Sequence, residues 1–176
     1  MDMTGEERIA ASREAVWAAL NDVAVLKQCI PGCESLEKTS DTDMAAKVKL
    51  QVGPVRAAFT GKVKLSDLDP PNGYRISGEG QGGVAGYAKG GAVVRLVPDG
   101  AGTILKYEAK ADVGGKLAQL GGRLIDSTAR KLAGEFFQNF SAIVGGTPAG
   151  ASSLGASIRK EGWFRRLWRR LFGRQQ

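Results

Sequence analysis

Lys47-Val48-Lys49-Leu50-Gln51-Val52 and Lys62-Val63-Lys64-Leu65 alternate strictly between polar and apolar residues. Side chains along a strand point to opposite faces in turn, so both stretches predict strands with one face on a core and one in water. Strong turn signals separate the strand-like runs: Gly53-Pro54, Asp69-Pro70-Pro71-Asn72-Gly73 and Asp99-Gly100-Ala101-Gly102. The region from Glu34 to Asp112 therefore reads as a meander of about six antiparallel strands. Ahead of it, Met3 to Ala10 alternate more loosely and predict a first strand. Ser12 then suits a helix N-cap, with Glu14 in the first turn, where the helix dipole favours negative charge. Val16, Trp17 and Leu20 follow at helical spacing, and a second short helix carries Val23, Leu26 and Ile30 until Pro31-Gly32 ends it.

Beyond the meander, Gly114-Gly115 opens a long helix expected to run to about Val144. Leu117, Leu120, Leu124, Thr128, Leu132, Phe136 and Ile143 form one broad apolar face at three- and four-residue intervals. Gly121-Gly122 falls inside this pattern and costs the helix roughly 1 kcal/mol per glycine relative to alanine. Either another backbone or a ligand approaches closely there, or the helix tolerates a loose turn. The predicted architecture is α+β, a curved antiparallel sheet gripping one long helix. Such a pair of layers leaves a space between them that suits an apolar ligand better than polar chemistry.

After the helix, Gly145 to Ala156 is a flexible linker by composition, rich in glycine, alanine and serine. Twelve such residues span about 20 Å on average and about 43 Å at full stretch. The segment 157–176 that follows reads as a basic amphipathic helix. At about 100° per residue, Trp163, Phe164, Leu167, Trp168, Leu171 and Phe172 cover one half of its surface, and Arg165, Arg166, Arg169 and Arg170 cover the other. Aromatic rings opposite guanidinium groups suit the boundary of an anionic bilayer. The division is thus a ligand-binding domain over 1–144, a linker over 145–156 and a membrane-binding helix over 157–176.

Charge sharpens this division. The 176 residues carry a net +7, and +6 of that lies from Arg159 onward, where seven basic residues face only Glu161. The body is close to neutral, which argues against a nucleic-acid-binding surface on it. The start, Met1-Asp2-Met3-Thr4-Gly5-Glu6-Glu7, is acidic without an apolar run, so no secretory signal is expected. No stretch approaches the roughly 18–20 apolar residues that span a bilayer. The expected location is cytoplasmic, peripheral on the inner face of the cell membrane.

Histidine is absent from the sequence, which removes the commonest general base and any Ser-His-Asp or Cys-His arrangement. Neither a catalytic nor a metal-ligating set is predicted. Cys29 and Cys33 read as reduced thiols near a turn, since a zinc site would lack partners. Asp67 and Asp69 read as solvated turn residues. The glycine-rich run from Gly78 to Gly91 lacks phosphate-loop spacing and opens no helix, so it reads as a mobile strand connection near a cavity mouth. The large residues from elements that would surround the space are Trp17, Leu26, Ile30, Phe59, Tyr74, Tyr87, Leu117, Leu120, Leu124 and Phe136.

Several short motifs together carry a family resemblance. Ala11-Ser12-Arg13-Glu14-Ala15-Val16-Trp17 with Leu20-Asn21-Asp22 resembles the opening of the START-like (SRPBCC) helix-grip superfamily. Cys29-Ile30-Pro31-Gly32-Cys33-Glu34, Val52-Gly53-Pro54-Val55, Gly61-Lys62-Val63, Leu68-Asp69-Pro70-Pro71, Gly78-Glu79-Gly80, Ala88-Lys89-Gly90-Gly91 and the run Gly114 to Gly121 narrow it to the CoxG family of carbon monoxide dehydrogenase subunits. The resemblance covers about residues 2–144. It implies a non-enzymatic accessory protein that recruits carbon monoxide dehydrogenase, or another molybdenum hydroxylase, to the cytoplasmic membrane. It also implies a cavity for a hydrophobic small molecule. Joined to the tail, these imply a carrier whose ligand is an isoprenoid quinone, menaquinone or ubiquinone, with no covalent cofactor. Tyr87 is then the expected hydroxyl donor to a quinone carbonyl, its ring covering the opening. A recruiting adaptor with an incidental cavity, and a small lyase or cyclase on the same fold, are the competing readings.

Overall fold

The computed structural model describes residues 1–146. Its order is β1 (Asp2–Ile9), α1 (Arg13–Leu20), α2 (Val23–Cys29), β2 (Cys33–Lys38), β3 (Asp43–Val52), β4 (Val55–Asp69), β5 (Gly73–Gln81), a 3-10 turn (Gly83–Ala85), β6 (Tyr87–Asp99), β7 (Gly102–Gly114), α3 (Lys116–Gln119) and α4 (Gly122–Val144). The seven strands form one sheet in the order β1-β7-β6-β5-β4-β3-β2. Every neighbouring pair is antiparallel. β2 to β7 are thus the meander, and β1 closes against β7 because α1 and α2 carry the chain back across the sheet.

Local chemistry sets the helix starts. The Ser12 side chain accepts a hydrogen bond from the Ala15 amide and Asp22 accepts from Ala24 and Val25, so both short helices are capped. Ile30 is the residue that ends α2 rather than one of its turns. The fully buried Thr103 hydroxyl donates to the Ala11 carbonyl at 2.7 Å, tying β7 to the segment between β1 and α1. The Asn139 side-chain amide donates to the Cys29 carbonyl at 3.2 Å and fastens α4 to α2.

The single long helix expected from Gly114-Gly115 is corrected to two. Gly121 takes φ +91°, left-handed space that an L side chain rarely enters, and this breaks the run after the short α3. A Cβ built at Gly121 or Gly122 meets nothing within 4 Å, so no backbone presses on them. These glycines turn the chain, and close approach is not their role. The linker beyond Gly146 and the 157–176 tail lie outside the described residues.

Candidate ligand-binding cleft

Register across the sheet decides which residues face inward. Tyr74, Val94 and Tyr107 stand side by side on β5, β6 and β7, as do Ile76, Ala92 and Ala109, and then Gly78, Gly90 and Ala111. Gly80, Ala88 and Val113 complete the series toward the end where the 3-10 turn lies. On β4 the inward set is Val55, Ala57, Phe59, Gly61, Val63 and Leu65. α4 lies over this face. Leu124 at its start meets the turn at Gly53, and Gly145 at its end meets Ala10.

Burial along the inner face is graded. Ile9, Val16, Leu20, Leu26, Cys29, Leu36, Met44, Leu65, Tyr74, Leu96, Leu105 and Phe140 form one buried core at the end filled by α1 and α2. Toward the other end the inward residues are just as apolar and yet only half-buried. Val48, Leu50, Phe59, Ile76, Ala109, Val113, Leu120, Leu124 and Leu132 all stay partly open. Apolar side chains that face a helix without becoming buried border a space that protein atoms do not fill. A cavity of ≈ 370 Å³ on β4 to β7 is bordered by Val63, Ile76, Gly78, Gly80, Ala88, Gly90 and Ala111, and also by Lys62, Ser77, Glu79, Lys89, Gly91 and Lys110 of the same strands.

The floor of this cleft is built of absent side chains. Gly61, Gly78, Gly80 and Gly90 lie on adjacent strands, with Ala88 and Ala111 beside them. Some of these glycines also let the sheet coil, since a Cβ on Gly61 would lie 2.6 Å from the Glu79 carbonyl oxygen and one on Gly90 would collide with that of Lys110. Gly80 differs. A Cβ there lies 3.8 Å from Phe59 Cβ, ordinary contact distance, so at Gly80 the missing side chain leaves room without being required by the backbone.

A larger hollow of ≈ 650 Å³ lies behind the same thin patch on the outer face. Lys62, Lys64, Lys89 and Lys110 border it, together with Asp2, Asp43, Glu79 and Asp112. The two hollows share Lys62, Glu79, Lys89 and Lys110. The smaller adds Ile76, Gly80 and Ala88 from the helix-facing side and lacks Asp2, Asp43, Lys64 and Asp112, which makes it the candidate for an apolar ligand.

The residues named from sequence divide by place. Phe59, Leu120 and Leu124 border the open half of the inner face, whereas Phe136 stacks on the buried Phe140 at 5.8 Å and packs against the core. Trp17, Leu26 and Ile30 belong to the packed end, where the Trp17 ring meets Tyr74 edge-on at 5.5 Å. Leu117 packs near the 3-10 turn, where it and Ala85 are both buried outside the main core. Tyr87 is corrected. It pairs with Gly114 on the outer face, and its ring covers that glycine, so its hydroxyl does not enter the cleft.

Two other tyrosines face inward where the packed core gives way to the cleft. Tyr74 is 7% exposed, and burial pushes its hydroxyl up to about 12. Tyr107 stacks on Phe137 at 5.4 Å and lies over Gly5, which leaves room for its ring. Burial raises the Tyr107 pKa, the charge of Glu7 adds to this, and Arg130 opposes it. Neither hydroxyl has a hydrogen-bond partner among the described residues. Sequence reasoning missed Tyr107 and the glycine floor; both become visible once positions are aligned across strands. Burial raises the pKa of both Cys29 and Cys33, keeping their thiols protonated and poorly nucleophilic. No cluster of three metal-ligating side chains occurs among the described residues.

A curved seven-stranded antiparallel sheet closed over a C-terminal helix, with an apolar space between them, defines a START-like helix-grip protein. Solved structures agree in fold. The chain is similar to a START superfamily protein from Mycobacterium smegmatis (15% identity, TM-score 0.63, covering 81% of this chain and 96% of that one). It is similar also to the Zhui aromatase/cyclase from Streptomyces sp. R1128 (14% identity, TM-score 0.57, 82% and 93%). A conserved protein from Geobacillus kaustophilus shares more, with 29% identity, a TM-score of 0.78 and coverage of 82% and 95%. The model of the CoxG family of carbon monoxide dehydrogenase subunits matches residues 5–145, and the chain belongs to that family. No functionally curated protein matched the sequence.

Proposed function

We propose that this protein is a non-enzymatic carrier that holds an isoprenoid quinone in the inner cleft and links a carbon monoxide dehydrogenase, or a related molybdenum hydroxylase, to the respiratory membrane. One observation carries the ligand half of the proposal: the inward apolar residues from Val48 to Leu132 stay half-buried over a floor of glycine and alanine. An apolar chain entering that space buries surface on both partners, at about 25 cal/mol per Å². A quinone adds two carbonyl oxygens, and the Tyr74 and Tyr107 hydroxyls at the inner end of the cleft are donors suited to them. The isoprenoid chain would then run toward the open end.

The family description supplies the partner. Reduction of the quinone takes two electrons, which come from the substrate oxidised by the partner enzyme, and two protons, which come from water: carbon monoxide and water give carbon dioxide, two protons and two electrons. This chain needs only to bind, orient and release. The segment 157–176 keeps the carrier at the bilayer, the source of its ligand.

The test is organic extraction of the purified full chain followed by mass spectrometry, with a titration of menaquinone monitored by tryptophan fluorescence. Copurifying quinone, or saturable binding of added quinone, is the expected result. Absence of both sinks the carrier reading. The charged outer hollow favours a second reading, an adaptor that docks the dehydrogenase through that face. Capture of the dehydrogenase by protein that never binds quinone would select it.

A further inference from the structure

Three connections converge at the open end of the cleft: the β3–β4 turn, the β5–β6 connection with its 3-10 turn, and the break between α3 and α4. Their contacts join them into one rim. Leu124 meets Gly53, Phe59 lies against Gly82, and Ala85 and Leu117 are buried there. Val84 projects from this rim and is 86% exposed. The turn that presents it is held by three backbone bonds, from Gly82 N to Gly86 O at 2.8 Å, Gly86 N to Gly83 O at 3.1 Å and Ala85 N to Gly82 O at 3.2 Å. One exposed valine is ordinary by itself. Its surroundings are not.

The stretches 50–58, 81–88 and 113–125 that build the rim contain Arg56, Lys116 and Arg123; the acidic residues that border them are Asp112, which pairs with Lys89, and Asp126, so the rim keeps a positive excess. Arg56 donates to the neutral Gln51 side chain at 3.0 Å, and none of the three is ion-paired among the described residues. The turns at the opposite end, 39–43, 69–73 and 99–102, contain Asp41, Asp43, Asp69 and Asp99 and no basic residue of their own. Arg8 pairs with Asp99 and Arg13 donates to Asn72 there, which leaves Asp41, Asp43 and Asp69 without an ion-paired basic partner among the described residues. The near-neutral body is therefore polarised along the cleft, positive at the mouth and negative at the packed end.

From this polarity we infer a second membrane contact in the body itself: the cleft mouth faces an anionic bilayer, with Val84 entering the headgroup layer and Arg56, Lys116 and Arg123 meeting lipid phosphates. The acidic turns at the far end are repelled by the same surface and reinforce the orientation. Resting on the carrier reading, this contact gives the ligand a route from bilayer to cleft that never crosses water. The tail holds the protein near the surface, and the rim decides which end looks down.

Hydrogen exchange of the full chain on vesicles tests it, comparing phosphatidylglycerol-containing vesicles with pure phosphatidylcholine ones and no quinone present. Amides in 52–56, 82–87 and 116–123 should exchange severalfold more slowly on the anionic vesicles alone, and those in 39–43, 69–73 and 99–102 should not change. The double variant Val84→Asp/Arg123→Glu alters two exposed side chains and should keep its melting temperature. It should still sediment through its tail while losing the rim protection. Sedimentation without rim protection, or equal protection at both ends, overturns the rim contact. Failure to sediment at all overturns the tail and the rim together. Because quinone is absent throughout, failure of the carrier reading appears only in the extraction experiment.

Discussion

Leucine placed at Gly80 sets folding and ligand binding against each other, and the structure supplies the sizes. The new Cβ would meet Phe59 Cβ at 3.8 Å and the Thr60 carbonyl oxygen at 3.9 Å, so the backbone accepts it without displacement. Replacing a strand glycine lowers the entropy of the unfolded chain, roughly 0.5–1 kcal/mol in favour of folding. Added apolar contact with Phe59 works in the same direction. The empty protein should therefore melt at the same temperature or slightly higher. The four side-chain carbons occupy space that ligand carbons would otherwise fill. At about 0.8 kcal/mol for each buried methylene, the loss is about 3 kcal/mol, or roughly a hundredfold in affinity. Calorimetry on the empty protein and a menaquinone titration measure the two effects side by side. Gly90→Leu is the contrast: its Cβ collides with the Lys110 carbonyl oxygen, so it should unfold the sheet. Quinone binding by Gly80→Leu at undiminished affinity would refute the glycine floor as the ligand's resting place. Loss of its fold would refute the claim that room at Gly80 is spare.

Tyr107→Phe keeps the ring on Phe137 and removes one donor, so quinone affinity should fall about fivefold to tenfold with little change in melting temperature. Equal affinity would remove Tyr107 from the site. Thr103→Val leaves the buried Ala11 carbonyl unpaired and should cost about 1–3 kcal/mol in chemical denaturation. Tyr74 titrates near 10 in the unfolded chain and about 12 in the fold, so its contribution is complete below pH 10 and disappears as pH rises through 12. That amounts to about 2–3 kcal/mol between those limits. Tyr74→Phe should flatten this part of the stability profile, and an unchanged slope would count against the burial argument. Deleting residues 157–176 should remove most sedimentation with anionic liposomes while the body stays folded, leaving only the weak binding of the rim; the full chain should bind less in high salt, because the arginine attraction is screened. Undiminished liposome binding by the shortened chain would remove the tail's assigned role.

Much of the fold was legible because its signals are local. Ser12 and Glu14 start a helix wherever the chain goes, Pro31-Gly32 ends the next, and strict alternation around Val48 and Val63 makes strands under any topology. The six-strand meander followed from such signals, and so did the family, whose motifs are short and contiguous. Gly121 shows where local reasoning stops. Periodicity carries straight through it, and only its left-handed backbone splits the expected helix in two.

The cleft was legible only in part, for a reason rooted in strand geometry. Alternation assigns residues to two faces without saying which face the helix covers. Tyr87 and Ala88 are neighbours in sequence; pairing of Tyr87 with Gly114 sends the tyrosine outward and leaves alanine inside. The floor of Gly61, Gly78, Gly80 and Gly90 exists in no single segment, because it is assembled by register across three strands. The sequence alone determined that a curved sheet would grip a helix and that most of the net charge lies beyond the body. Tertiary structure decided where the space lies, which tyrosines share the helix-facing side of the sheet, and that its mouth is the more positive end of a nearly neutral domain. Face and register are relations between strands, and the chain acquires them only when it folds.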